Sequence, residues 1–296
     1  MTVLVFDVGG TRVKAGLAGG QGIASLTTVP TDASSADALV EQLATIGRRL
    51  LGDARPEAVG VSLKGIVDAR RGTVVEVNAP LDRLSGAPLA DRLGHAFDAP
   101  VRIENDARMY ALGELRRGVG RGVENLVCLT LGTGVGVGVV IEGRPLSGAR
   151  GTLGILGGHI TVDVDGPPCT CGSVGCLEAL IGSGAFVADA LARGSTSADP
   201  EAIFAAAAAG DAAATAAVDR FTHVLSCGVV SLIHVYDPDV VVLGGGLSTS
   251  ASVFVERVQR FADEHAWTQP KGRVTVAVSE LGDTAALFGA AELAAA

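Results

Sequence analysis

The sequence predicts an α/β protein built as two related lobes with a cleft between them. Strand-like and helix-like segments alternate twice along its 296 residues, a length that suits one large domain or two ordinary ones. Each half opens on the same plan of buried strand, glycine turn and second strand. The first copy is "VLVFDVGGTRVKAGLAGG" and the second is "ENLVCLTLGTGVGVGVVIEG". Helices that follow such units cover the sheet they leave.

The elements follow in order. "TVLVFDV" reads as a strand, "GGT" as a turn and "RVKAGLA" as a second strand. From Asp37 to Leu51, the spacing of Leu39, Leu43, Ile46 and Leu50 is a helical period. "AVGVSL" at 58–63 is a short buried strand, and 65–88, rich in Gly, Pro, Asn and Asp, are loops and hairpins. "PVRIEND" is a strand with a polar end, continued by the helix "ARMYALGELRR". The run "RRGVGRG" marks a boundary, giving lobes over 1–117 and 118–283. Residues 177–235 are mostly helical, "DVVVLGGGLS" is a strand entering a glycine turn, and 284–295 form a closing helix.

Composition bounds the function. Hydrophobic residues make up 48% and charged residues 19%, which is globular rather than disordered. A net charge of −9 opposes nucleic acid as a partner, because a polyanion needs a basic footprint. "MTVLVFDVGG" has no basic leader, and Asp7 breaks its apolar run. No stretch reaches ~18 uninterrupted apolar residues, so no membrane partner is expected. The run "AIFAAAAAGDAAATAAV", cut by Asp211, reads as a soluble helix. The cytoplasm is the expected location, where clustered cysteines are metal ligands or redox groups more often than disulfides.

Three glycine turns follow strands: "DVGGT" at 7–11, "LGTGVGVG" at 131–138 and "LGGGLS" at 243–248. Glycine lets backbone N–H groups approach an anion with no Cβ in the way. Any one of them fits a tight hairpin turn; three in a repeated α/β plan favour a nucleotide cleft. The P-loop spelling is absent, and Gly132, Gly134, Gly136 and Gly138 do not have dinucleotide-fingerprint spacing. Asp7 offers a hard oxygen ligand for Mg²⁺ carrying phosphates, and Thr11 and Thr133 add hydroxyls.

His159, Cys169, Cys171 and Cys176 lie within eighteen residues. They make a Cys₃His set, one of the tetrahedral zinc combinations. A disulfide leaves a third cysteine over, and a redox pair prefers C-x-x-C. Four protein ligands close the coordination sphere, so the zinc is structural. Cys128 and Cys227, in apolar runs, read as core thiols. In "END", Asp106 can accept a hydroxyl proton and Asn105 can clamp a hydroxyl. Both residue types also favour helix N-caps.

"FDVGGTRVKAGL", "IENDARMYALGE", "LTLGTGVGVGVVIEG", "CTCGSVGCLE", "VVLGGGLS" and "LGDTAALFGAAELA" resemble, in this order, the ROK family of sugar kinases and sugar-responsive repressors. The resemblance covers residues 3–294. It implies an actin-like, ribonuclease H-like two-lobed ATPase fold whose closing helix returns to the first lobe. It implies transfer of the ATP γ-phosphate to a hexose hydroxyl, O6, with Asp106 as base. Asn105, His159 and Glu178, with Asn78 and Gly65, would hold the sugar. Asp7, Gly9, Gly10, Thr11 and Arg12, with Gly132, Thr133, Gly134, Gly136 and Gly138, would cradle the phosphates. Gly244, Gly245 and Gly246 would flank the adenosine. ATP, Mg²⁺ and structural Zn²⁺ are the implied cofactors, and a homodimer or homotetramer the implied assembly.

The sequence departs from that family at two places. Its kinases usually read G-E-x-G-H before the zinc histidine, the glutamate binding sugar. Here the run is "GTLGILGGHITV", and Ile155 or Leu156 takes that place. In "VSLKGIVD", Lys64 stands where a proline is common; it reads as a solvated loop lysine, or else as a cation facing the acceptor. A repressor needs a helix-turn-helix domain of ~70 residues ahead of the first strand, for which Asp7 leaves no room. The residues also admit a sugar-binding or regulatory protein with weak turnover, or a kinase using polyphosphate.

Overall fold

The structure is a computed structural model that describes residues 2–20 and 22–296. Met1 and Gln21, both within the expected first lobe, lie outside the described residues. The chain divides into two compact units. One comprises Met1–Gly118, Arg144–Leu153 and Asp283–Ala296; the other comprises Val119–Gly143 and Gly154–Gly282.

The first unit opens with β1 (Val3–Val8), β2 (Arg12–Gly19) and β3 (Gly22–Pro30), followed by α1 (Ala36–Leu51) and β4 (Ala58–Leu63). A hairpin of β5 (Ile66–Asp68) and β6 (Thr73–Glu76) comes next, then α2 (Leu89–Phe97), β7 (Val101–Asn105) and α3 (Asp106–Arg117). Its main sheet has the order β3-β2-β1-β4-β7. The β1–β2 and β2–β3 pairs are antiparallel; β1–β4 and β4–β7 are parallel. Val8 registers with Leu63, and Leu63 with Asn105. Three parallel strands therefore finish in one row, and Gly9, Lys64 and Asp106 emerge side by side. Open α/β sheets bind ligands at this carboxyl end of their strands.

Helix α1 begins at Ser35, whose side chain accepts from the Ala38 N–H, and buries Leu39 and Leu43. These join Leu4, Phe6, Val59, Val61, Leu93 and Phe97 in one apolar core. All six residues of β4 are buried, as expected of a central parallel strand covered on both faces.

The second unit repeats the plan. Strands β8 (Leu126–Leu131) and β9 (Val135–Ile141) form its antiparallel pair. Then come α4 (Leu177–Ile181), α5 (Ser183–Ala192), α6 (Pro200–Ala208), α7 (Ala212–Tyr236), β10 (Val240–Gly244), α8 (Val255–His265) and β11 (Thr275–Val278). Strands β9-β8-β10-β11 are neighbours in that order, the last two joined in parallel. The alanine run is two helices, because Asp211 caps α7 through the Ala214 N–H rather than interrupting it. Helix α7 is long and apolar enough to cross a membrane by length and composition. Its Phe221 instead packs among Phe186, Phe204 and Phe254, with ring centroids 5.1–5.5 Å away. Closing helix α9 (Ala285–Ala295) belongs to the first unit, lying along α3 and against β1 and β4.

One thiol differs from the expectation. Cys128 is buried in β8, but Cys227 is only half-buried. Helical spacing puts Cys227 on the same side of α7 as the exposed His223, with Sγ 3.9 Å from Nε2.

Candidate active site and metal centre

At the strand-end row of the first unit, β7 runs directly into α3. Asn105 is the N-cap, its Oδ1 accepting from the Arg108 N–H at 3.2 Å. Its Nδ2 donates to the Gly65 carbonyl at 2.8 Å and to Asp106 Oδ1 at 3.0 Å. Asp106 Oδ1 also accepts from the Ala107 N–H at 2.9 Å. One carboxylate oxygen is thus fixed, while Oδ2 makes no hydrogen bond among the described residues. Burial raises the Asp106 carboxyl above its ordinary range, and the Ala107 N–H and the charge of Lys64 oppose that rise. The cap is Asn105, and Asp106 is the first residue of the helix and is not needed for capping.

Gly65 has φ +106°, and a Cβ there would lie 2.6 Å from the Glu76 carbonyl. Only glycine lets this turn close onto Val77, the neighbour of the exposed Asn78. Gly65, Asn105 and Asp106 are therefore brought together, with Asn78 one residue beyond the contact.

Asp7, on β1, accepts from the Ser62 hydroxyl at 2.8 Å. Burial pushes its carboxyl up to about 6, against the pull of Ser62; Asp106 and Asp283 add to the rise and Lys14 opposes it. A partly desolvated acid of this kind suits a cation, so the site fits Mg²⁺. The turn after Asp7 is pinned by Gly9 N–H to the Arg12 carbonyl at 3.0 Å and by the Thr31 hydroxyl to the Gly9 carbonyl at 2.8 Å. Thr11 and Arg12 are exposed beside it.

Sequence reasoning missed the group that holds this corner. Arg108 is fully buried, and its Nη1 meets Glu104 Oε1 at 2.8 Å. Its other nitrogens donate to the carbonyls of Leu146, Ser147, Gly151 and Leu153 at 2.6–3.3 Å. Glu104 also accepts the Asn105 N–H at 2.7 Å. The buried pair thus ties the loop 146–153 to the helix that starts at Asp106. The available sign was a Glu and an Arg four residues apart in an otherwise core-facing run. Ser62, inside the otherwise apolar β4, left no comparable sign.

In the second unit, the turn between β8 and β9 is Gly132, Thr133 and Gly134, closed by the Gly132 N–H on the Gly134 carbonyl at 3.0 Å. Gly136 and Gly138 differ from the expectation that they line this turn. They are strand residues of β9, in register with Thr130 and Cys128, so the ladder engages them. Gly245 adopts φ +82° after β10, between Gly244 at the strand end and Gly246 at the start of a 3₁₀ turn.

Glu178, on α4, reaches the first of these turns. Its Oε2 accepts from the Val135 N–H at 3.0 Å, and a Cβ on Gly134 would lie 2.3 Å from that oxygen. Its Oε1 is 3.9 Å from His159 Nδ1. His159, in a 3₁₀ turn, faces Cys169 Sγ at 3.6 Å through the same nitrogen, and Cys171 and Cys176 are 3.6 Å apart. All four donor atoms lie within 4.8 Å of one another. With metal–ligand bonds of about 2.0–2.3 Å, a tetrahedral zinc site has edges of roughly 3.5–3.8 Å, so the donor set fits Zn²⁺. Burial pushes the Cys176 thiol up to about 12, a cost that a bound dication offsets. The loop closes on itself through paired backbone positions Thr161–Cys176 and Pro168–Val174. Neither Ile155, half-buried, nor the exposed Leu156 brings a carboxylate to the run before His159.

Comparison with known proteins places this architecture in a class and then in a family. A ROK family glucokinase from Streptomyces griseus, solved in complex with glucose and AMPPNP, superposes with a TM-score of 0.83 at 30% identity, covering 100% of this chain and 99% of that one. The fold is therefore the actin-like α/β fold that the ROK resemblance implied. Residues 3–296 match the ROK family, and the chain belongs to it. The glucokinase of Thermotoga maritima is 32% identical over 97% of this chain and 95% of its own length. The N-acetylmannosamine kinase of Escherichia coli O157:H7 is 36% identical over 86% and 87%.

Proposed function

We propose that this protein is an ATP-dependent carbohydrate kinase that transfers the γ-phosphoryl group to O6 of a hexose or hexose derivative, with Asp106 as general base. Kinase relatives that match over nearly the full chain support the reaction class. The observation that carries the site is the fixed Asp106 carboxylate at the sheet's carboxyl end, with Oδ2 left to meet a hydroxyl. Phosphoryl transfer needs little covalent help from a protein; positioning and charge do most of the work. Asp106 orients the acceptor hydroxyl and takes its proton as the oxygen attacks phosphorus. Its raised affinity for the proton makes it a better base than an exposed aspartate.

Asn105, Gly65 and Asn78 of the first unit and His159 and Glu178 of the second are assigned to the sugar. Gly9, Gly10, Thr11, Arg12 and the turn 132–134 are assigned to phosphate, and Gly244–Gly246 to adenosine. Asp7 would hold Mg²⁺, which when bound neutralises phosphate charge. His159 and the three cysteines would hold Zn²⁺, which keeps Glu178 and the free His159 nitrogen in place. The enzyme is taken to act in the cytoplasm as a homo-oligomer.

One observation favours a second reading, a sugar-binding protein with weak turnover. Ile155 and Leu156 supply no carboxylate to a sugar hydroxyl, a loss of about 1.5–3 kcal/mol if nothing replaces it. The two readings separate when hexoses, 2-amino and N-acetyl hexosamines and rarer sugars are incubated with ATP and the products are resolved. The kinase reading expects one sugar monophosphate, with phosphorus coupled to the C6 protons by NMR. Stoichiometric sugar binding with no phosphorylated product favours the second reading. Coupling to another carbon removes the O6 assignment and leaves the kinase.

A further inference from the structure

Lys64 occupies a place that neither the sugar nor the nucleotide assignments use. It follows Leu63, the last residue of β4, which registers with Val8 on one side and Asn105 on the other. Its backbone N–H donates to the Val8 carbonyl at 3.4 Å. Neighbouring strands are about 4.8 Å apart. Lys64 therefore stands one strand from the Gly9–Gly10–Thr11 turn and one strand from Asp106. The turn is the phosphate side of the proposed reaction and Asp106 is the acceptor side.

The Lys64 side chain is exposed and makes no ion pair among the described residues. Lys14, nearby on β2, differs in this respect: its Nζ is 3.3 Å from the Asp283 carboxylate and 3.0 Å from the Asp283 carbonyl. Ser62, two residues before Lys64, is already held by Asp7, and Gly65, one residue after it, by Asn105. The flanks of Lys64 are thus anchored to Asp7 on one side and to Asn105, the neighbour of Asp106, on the other. Its charge acts on Asp106, which places the ammonium group's field at the acceptor end.

We propose that Lys64 is a further catalytic residue, contacting the phosphoryl group as it passes from ATP to the sugar. The inference rests on the kinase reading above. In the step, the bond from the acceptor oxygen to phosphorus forms, and the bond from phosphorus to the β,γ-bridging oxygen breaks. The hydroxyl proton goes to Asp106, and ADP leaves with the bridging electron pair. Lys64 gives and takes no proton. It supplies positive charge to the equatorial oxygens of the group in flight, where a fixed cation is worth most.

The test uses the full chain with Mg²⁺ and the sugar that the wild type phosphorylates, comparing Lys64→Met and Lys64→Arg. Lys64→Met is expected to lower kcat by about 10²–10³-fold with little change in KM for the sugar. It should abolish the tighter binding of ADP with aluminium fluoride over ADP alone, while leaving ADP affinity and Tm as in the wild type. Lys64→Arg should recover part of kcat. Three outcomes overturn the proposal: an unchanged kcat, a raised sugar KM at constant kcat, or equal losses in ADP affinity and Tm. The second would make Lys64 an acceptor-binding group, and the third a structural one. A wild type with neither turnover nor a preference for ADP with aluminium fluoride removes the kinase reading itself, a different result from all three.

Discussion

Burial of the Asp7 carboxyl costs the fold stability at neutral pH. Its carboxyl is pushed from 3.8 to about 6 by burial. Between those values the unfolded chain releases a proton that the folded chain keeps, so stability falls as pH rises from about 4 to about 6 and is level above. The group's share is at most about 3 kcal/mol. In buffer free of magnesium and nucleotide, urea unfolding of the wild type minus that of Asp7→Asn should trace this fall, and Asp7→Asn should be the more stable at pH 7. A difference curve flat across that range contradicts the burial of Asp7. At this scale the sequence was readable where chemistry has a spelling: the aspartate before paired glycines, "END", and the cysteine set. It was unreadable where a residue acts through a distant partner. Ser62 reaches Asp7 across 55 positions, and Arg108 reaches carbonyls 38–45 residues away. No local pattern encodes such bonds.

Among the elements, the zinc loop carries the clearest wager. Residues 160–176 contain no helix or strand and are held by two backbone bridges and local turn hydrogen bonds, so on the proposed reading a bound metal would add to their order. Purified protein should contain one zinc per chain, and Cys171→Ser should lose it. Because Glu178 touches both His159 and the turn at Gly134–Val135, the same substitution should raise the sugar KM more than the ATP KM. Metal analysis showing no zinc in the wild type contradicts the assignment. Strands β1, β4, β7 and β10 were legible as β-branched runs bounded by glycine or polar residues, and β2 as the segment that follows the first glycine turn. Strand β3 was not, because it lies at the sheet edge and exposes Ser25, Leu26, Thr28 and Pro30. Strand β11 is only four residues long, and helix α8, although Val255, Val258, Phe261 and Ala262 recur at helical spacing, was not read from the sequence. Gly136 and Gly138 misled for a related reason. A glycine-rich run looks like a turn, yet β8 supplies hydrogen-bond partners enough to make it a strand.

At the scale of the molecule, each unit places an antiparallel pair beside two parallel strands, in orders β2-β1-β4-β7 and β9-β8-β10-β11. The repeat of plan was visible in the sequence without any repeat of identity, because each unit opens on a buried strand, a glycine-containing turn and a second strand. Closing helix α9 was placed only by resemblance, because nothing in an alanine-rich helix says which unit it covers. The most direct test of the account concerns Asp106. ADP formation should be measured on the hexose and hexosamine panel for the wild type and for Asp106→Asn, with ATP binding measured in both. The account predicts a clear sugar-dependent rate in the wild type, and none in a variant that binds ATP equally well. Substantial sugar-dependent turnover in Asp106→Asn would contradict the base at the centre of the mechanism.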